Sequence, residues 1–124
     1  MHATRDQLPI LFGSDAAGIR GVDWGDQRAA IVSIPAGVDT APLLEGLPGN
    51  RCPCPHWGYV LEGRMLVMYA DREETVRAGE LFYMPPGHTV MVERDVEYVE
   101  FSPPAAYETF LEIAKRNAGA VEVP

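Results

Sequence analysis

Cys52, Cys54 and His56 hold every second position of the run Cys52-Pro53-Cys54-Pro55-His56. Two sulfur donors and an imidazole this close together are what a borderline-soft divalent metal selects, zinc first among them. A further histidine, His88, follows Pro85-Pro86-Gly87 later in the chain. If the fold sets His88 opposite the other three, a four-ligand shell closes, and the metal is structural or ligand-regulated. If one of the four stays free, an open position can activate water or polarise a carbonyl. The competing reading makes the cysteines small buried hydrophobes and the histidines hydrogen-bonded core residues. A thiol-based or metal-free site is the remaining alternative. A disulfide between Cys52 and Cys54 would close a very small, strained ring and is not expected.

The prolines constrain how the run can be held. Pro53 and Pro55 cannot donate ladder hydrogen bonds, so residues 52–56 cannot be a central strand throughout. A polyproline-like path along a rim is expected, with φ already fixed and little entropy left to lose on ligation.

The elements that must position these residues read as short strands separated by turns. Residues 19–24 form a candidate strand, Gly25-Asp26 a turn, and residues 28–34 the next strand. Residues 35–50 are rich in proline and glycine and form a loop with one helical turn near 41–45. Residues 59–61 and 65–69 read as a hairpin, with Gly63 supplying positive φ at its turn. Asp71-Arg72 and Ala78-Gly79 turn the chain into strands at 74–77 and 81–84, and two last strands cover 88–92 and 97–101. Glu97 and Glu100 have opposite strand parity, so one faces inward, where a carboxylate can carry protons. Trp57, Tyr59, Met68, Phe82, Tyr83, Met84 and Tyr98 divide between core packing and the walls of a small-ligand pocket.

The tail changes period. Tyr107, Phe110, Leu111 and Ala114 fall at i, i+3, i+4 and i+7, one apolar helical stripe. Ser102 is placed to cap a helix over residues 104–117, Lys115 and Arg116 suit its last turn, and Gly119 is expected to end it. Its apolar face packs on the outside of the strands or against a partner subunit.

The 124 residues make one domain, residues 1–124, with a β region at about 17–101. A net charge of −8 with scattered basic residues argues against nucleic acid, which needs clustered Lys and Arg. No apolar run reaches the ~18 residues of a membrane helix, and the first residues lack a secretory pattern. A cytoplasmic location is expected, where cysteines serve as ligands or reactive thiols more often than in disulfides. His2 lies in the N-terminal segment and carries no role.

Two segments resemble the cupin family. His56-Trp-Gly-Tyr-Val-Leu-Glu-Gly63 is similar to the second half of the first cupin motif, in which metal-binding side chains precede a Tyr-Val-Leu-Glu-Gly hairpin. Gly79-Glu-Leu-Phe-Tyr-Met-Pro-Pro-Gly87 is similar to the second motif, with His88 directly after it. The usual first motif reads His-x-His-x-x-x-Glu. Counting back from Tyr59 without gaps puts His56 at its glutamate, Cys52 at its second histidine and Asn50 at its first. Shortening the motif by two lets Cys52, Cys54 and His56 stand for its three ligands. The usual histidine of the second motif falls at Val90 here, and His88 lies two residues earlier, with the same parity. Glu62 matches the hairpin-turn glutamate and is expected to be solvated.

The resemblance implies an all-β fold, a small antiparallel β-barrel of jelly-roll (double-stranded β-helix) type with a C-terminal α-helix, assembled as a homodimer. It implies a divalent metal, zinc on the donor set, held by Cys52, Cys54, His56 and His88 beside a small-molecule site at the barrel mouth. Two functions remain open: a small-molecule enzyme using the metal as Lewis acid, and a non-catalytic binding or sensing module whose metal, if any, is structural.

Overall fold

The computed structural model describes residues 1–122. Seven antiparallel strands, β1 (Ile10–Gly13), β2 (Gly18–Trp24), β3 (Gln27–Ile34), β4 (His56–Met68), β5 (Glu73–Arg77), β6 (Leu81–Met84) and β7 (Thr89–Ser102), precede one helix, α1 (Pro104–Glu122). Pairing runs β1-β2-β3-β7-β4-β5, with β6 also on β4. The two long strands make the roll. The first half of β4 lies between β6 and the end of β7, and its second half between β5 and the start of β7. Register slips between Val60 and Met65 mark the passage from one half to the other. The all-β barrel with a C-terminal helix is therefore the architecture of the chain.

Three sequence expectations change. Residues 59–69 are not a hairpin but one continuous strand, and Gly63 is a bulge within it rather than a turn. Its φ is indeed positive, +86°, but the chain there passes within van der Waals range of Asp95 on β7 instead of reversing. The polar run Glu93-Arg94-Asp95 likewise does not separate two strands. It is the exposed bend of β7, with Val90 and Val92 buried before it and Val96, Tyr98, Glu100 and Ser102 buried after it. Strand β1 was not foreseen, so the β region starts at Ile10.

The core gathers the inward positions of these strands, including Val60, Met65, Val67, Met84 and Val92, and α1 lies against it. Tyr107, Leu111 and Ala114 are buried and Phe110 packs at their edge, so the apolar stripe seats on the chain's own barrel. Burying each large side chain contributes ~1.5–3 kcal/mol. Polar contacts fix the docking: Arg28 on β3 donates to Asp23 at 2.7 Å and to Glu108 of α1 at 2.6 Å. Asn117 donates to the carbonyls of Leu43 and Glu45, tying α1 to the 3₁₀ turn Ala41–Leu44. Gly119 does not end the helix, which runs to Glu122. A glycine inside a helix costs only ~1 kcal/mol, and none of the left-handed geometry of a stop is present at Gly119.

The outward faces of β6, β4 and β7 carry Leu81, Tyr83, Trp57, Tyr59 and Phe101, all substantially exposed. Among the described residues no helix is long and apolar enough to cross a membrane.

Gly63 and Gly79 share φ of +86°, but a Cβ at Gly63 would lie 2.1 Å from the Asp95 carbonyl oxygen, whereas at Gly79 nothing lies within 4 Å. Gly79→Ala is expected to cost ~1–2 kcal/mol from backbone strain alone. Gly63→Ala is expected to cost a further ~1–3 kcal/mol from the clash. Urea unfolding measures both, and equal costs would contradict the bulge.

Candidate metal centre

The run from Cys52 to His56 is held at its two ends. His56 opens β4 and pairs with Met84 at the end of β6, so the chain leaving β6 must pass beside the segment leading into β4. Gly87, at φ +96°, lets Pro85-Pro86-Gly87 turn there. Cys52 and His88 then form an isolated antiparallel bridge, in which the Cys52 N–H donates to the His88 carbonyl at 2.9 Å and the Gly87 N–H donates to the Cys52 carbonyl at 2.7 Å. Pro53 and Pro55 are only half-buried, while Cys52, Cys54 and His56 are buried. The segment before β4 thus keeps a twofold alternation despite its prolines.

That alternation brings Cys52, His56 and His88 together, with one donor atom from each lying within 4.8 Å of the others. The Cys52 Sγ stands 3.8 Å from His56 Nε2, and the two imidazole rings are 5.0 Å apart, edge to face. The other ring nitrogens are engaged elsewhere. His88 Nδ1–H donates to the Pro85 carbonyl at 2.8 Å, and His56 Nδ1 meets the Ser102 hydroxyl at 2.6 Å. With Nδ1 protonated in each ring, both Nε2 atoms keep a free lone pair, the arrangement found behind metal-bound histidines. Bonds of ~2.3 Å to sulfur and ~2.0–2.1 Å to nitrogen set two ligands of a tetrahedral zinc ~3.6 Å apart, close to the sulfur–nitrogen distance seen here. The residues fit a metal.

The second sulfur does not join the group. Cys54 is fully buried, but its thiol donates to the Pro55 carbonyl at 3.5 Å. The inward carboxylate is Glu100. Its Oε2 accepts from the Tyr107 hydroxyl at 2.7 Å, its Oε1 lies 3.6 Å from His56 Nδ1, and Oε1 has no hydrogen-bond partner among the described residues. Glu97 faces out to Arg5 and Ser33, and Glu62 is exposed.

Burial sets the charge state of every group. Desolvation brings His56 down to about 3 and, with His56 beside it, His88 down to about 4, so both rings are neutral and able to donate lone pairs. Desolvation raises the Cys52 thiol well above its ordinary value and lifts Cys54 to about 12, helped by Glu100. Glu100 itself is lifted to about 7 by burial, against the pull of Tyr107. Burial favours the neutral form of both His56 and Glu100, so their 3.6 Å approach is not an ion pair.

Two of these partners were read differently from sequence. Ser102 does not cap α1; it ends β7 fully buried, and the register that sets Trp57 opposite Phe101 puts His56 opposite Ser102. Tyr107 is not merely core, since its hydroxyl reaches Glu100. The usable signal was the shared parity of Tyr98, Glu100 and Ser102, polar residues spaced along an inward face.

One cavity of about 230 Å³ adjoins the group, with Cys52, His56, His88 and Glu100 all in its lining.

A family model described as the AraC-like ligand binding domain matches residues 55–117, from the last proline of the run into α1. No curated protein matches the chain. Among solved structures, the chain is similar to the polyketide cyclase RemF from Streptomyces resistomycificus, with 19% identity, 83% of this chain and 78% of that one covered, and a TM-score of 0.61. It is similar to KdgF from Halomonas sp., at 19% identity, 81% and 92% coverage, and TM-score 0.57. It is also similar to an RmlC-like cupin from Shewanella frigidimarina, at 15% identity, 82% and 88% coverage, and TM-score 0.59. At such identities the likeness is one of fold, the cupin barrel.

Buried neutral imidazoles make the metal-free protein acid-sensitive. His56 and His88 have folded values of about 3 and about 4, below their ordinary 6.5, so their contribution is present above pH 6.5 and is lost as pH falls toward 4. Glu100 acts oppositely: its folded value of about 7 exceeds the ordinary 4.5, so its contribution is present below 4.5 and lost as pH rises through 7. Between pH 4.5 and 6.5 two imidazoles oppose one carboxyl, and chelator-treated protein is expected to lose stability on acidification. His88→Gln leaves one against one and should flatten the profile. Urea midpoints that stay level in the unsubstituted protein over this range would contradict the assignment.

Proposed function

The chain belongs to the AraC-like ligand binding domain family, and from that premise we propose that it holds zinc on Cys52, His56 and His88 and binds a small molecule against it. The observation that carries this reading is the convergence of one sulfur and two imidazoles on the lining of one cavity. A mixed sulfur and nitrogen set suits zinc, and Glu100, which would supply a harder oxygen donor, stands outside the group.

Zinc bound there supplies a Lewis acid able to polarise a carbonyl or acidify a bound water. The chain's own residues prepare for it. Ser102 and the Pro85 carbonyl engage Nδ1 of the two rings and leave Nε2 of each as the nitrogen that would bind the metal. The mostly apolar lining lowers the local polarity, which strengthens polar contacts made against it. Glu100, anchored by Tyr107 through Oε2, keeps Oε1 available beside His56 and is the group fitted to hold or release a proton near neutral pH. Three protein ligands leave a fourth position for the small molecule, which favours the enzyme reading.

Cys54 supports the second reading. It is a buried thiol two residues from Cys52, and its rotation into the group would close a shell of Cys52, Cys54, His56 and His88 around a structural metal. The protein would then be a non-catalytic binding or sensing module. The homodimer included in this proposal would use the exposed Trp57, Tyr59, Leu81, Tyr83 and Phe101 face, since a two-fold mate covers it with the same apolar side chains.

Elemental analysis of protein purified without a metal-chelating column is expected to find one zinc per chain. Cys52→Ala and His88→Ala should lose the metal and lower the melting temperature together, because ligation is coupled to folding. Ser102→Ala should weaken zinc by ~10–100-fold. Cys54→Ala should keep its zinc, and loss of zinc there would select the closed-shell module. Unchanged metal in both Cys52→Ala and His88→Ala would refute the centre.

A further inference from the structure

The cavity over the candidate centre has a marked polarity gradient. Its walls are Ile19, Val32, Ile34, Leu44, Met84 and Val90, with further apolar residues beyond them. The polar side chains at its inner end are Cys52, His56, His88 and Glu100, with Tyr98 two residues from Glu100 on the same face of β7. Two others line it: Ser33 donates to Glu97 at 3.0 Å, and Thr40 accepts from the Val90 N–H at 2.9 Å, which leaves Thr40 its hydroxyl proton to donate. No lysine, arginine, asparagine or glutamine is among the described lining residues.

Those walls determine what can be desolvated there. A polyol entering the cavity would lose water from several hydroxyls and find donors and acceptors at one end only, at ~1–3 kcal/mol for each group left unpaired. In the metal-free protein an anion would leave water for apolar walls and meet no lysine or arginine among the described lining residues. An apolar body suffers neither penalty. An apolar cavity of ~150 Å³ holds one benzene, so a volume of about 230 Å³ suits one ring with a short substituent.

We propose that the molecule bound here is uncharged and mostly apolar, about one substituted ring in size, with a single carbonyl or hydroxyl oxygen directed at the Cys52, His56 and His88 end. This rests on the metal-site reading only for the direction of that oxygen; the apolar walls select the body whether or not a metal is bound. Without a metal, the cavity disfavours sugars, carboxylates and phosphates.

Calorimetric titration of chelator-treated and zinc-loaded protein with acetophenone, benzoate and D-xylose, probes of comparable size, tests it. Acetophenone is expected to bind saturably to both forms, more tightly to the zinc-loaded one. In the chelator-treated form benzoate should bind at least tenfold more weakly, and xylose should give no saturable heat. Ile34→Trp, which fills the cavity from a half-buried position, should abolish acetophenone binding while zinc content is unchanged. Benzoate or xylose binding to the chelator-treated protein as tightly as acetophenone, or no saturable acetophenone binding, overturns the proposal. Acetophenone binding in a protein that takes up no zinc upholds the apolar-ligand inference and refutes the metal reading instead.

Discussion

Three main-chain hydrogen bonds between Cys52 and the Gly87-His88 bend hold the site together. The run ahead of β4 is short of main-chain donors, because Pro53 and Pro55 have none, so it has few ways of being fixed to the barrel. The bridge, with bonds of 2.9, 2.7 and 3.4 Å, joins it to the turn after β6. Each such bond is worth only ~1 kcal/mol net. Their larger effect is positional, since without them the thiol and the His88 imidazole would sit on two separate loops. The pairing of His56 with Met84 makes the bridge available, and the prolines limit how far the segment can stray from it.

Around that bridge the protein buries groups that a core built for stability alone would avoid. Two neutral imidazoles lie beside a buried carboxyl whose Oε1 has no hydrogen-bond partner among the described residues. The imidazoles and the carboxyl lose hydration on burial, and among the described residues no ion pair offsets them. Such an arrangement is tolerated where it serves binding, and a divalent cation would relieve it by taking the lone pairs and ionising a thiol. The helix contributes to this balance as well as to packing, because Tyr107 satisfies the other oxygen of Glu100.

Much of this was legible from residue spacing. Strand parity placed Cys52, His56 and His88 on one inward face, and it showed that only one of Glu97 and Glu100 could join them. What failed was local propensity against tertiary context. Gly63 has the positive φ of a turn residue, yet it is a bulge in a strand that continues, because β7 runs alongside both halves of β4. Ser102 has the chemistry of a helix cap, yet the register across β4 and β7 sets it against His56. Parity states which face Cys54 occupies, but the direction of its thiol depends on the Pro55 carbonyl beside it.

X-ray absorption at the zinc edge of the loaded protein tests the central claim most directly, because it counts ligands by element. The geometry of Cys52, His56 and His88 calls for one sulfur at ~2.3 Å and two imidazole nitrogens at ~2.0–2.1 Å, with one further light atom. A shell without sulfur, or with nitrogen and oxygen donors alone, would contradict it.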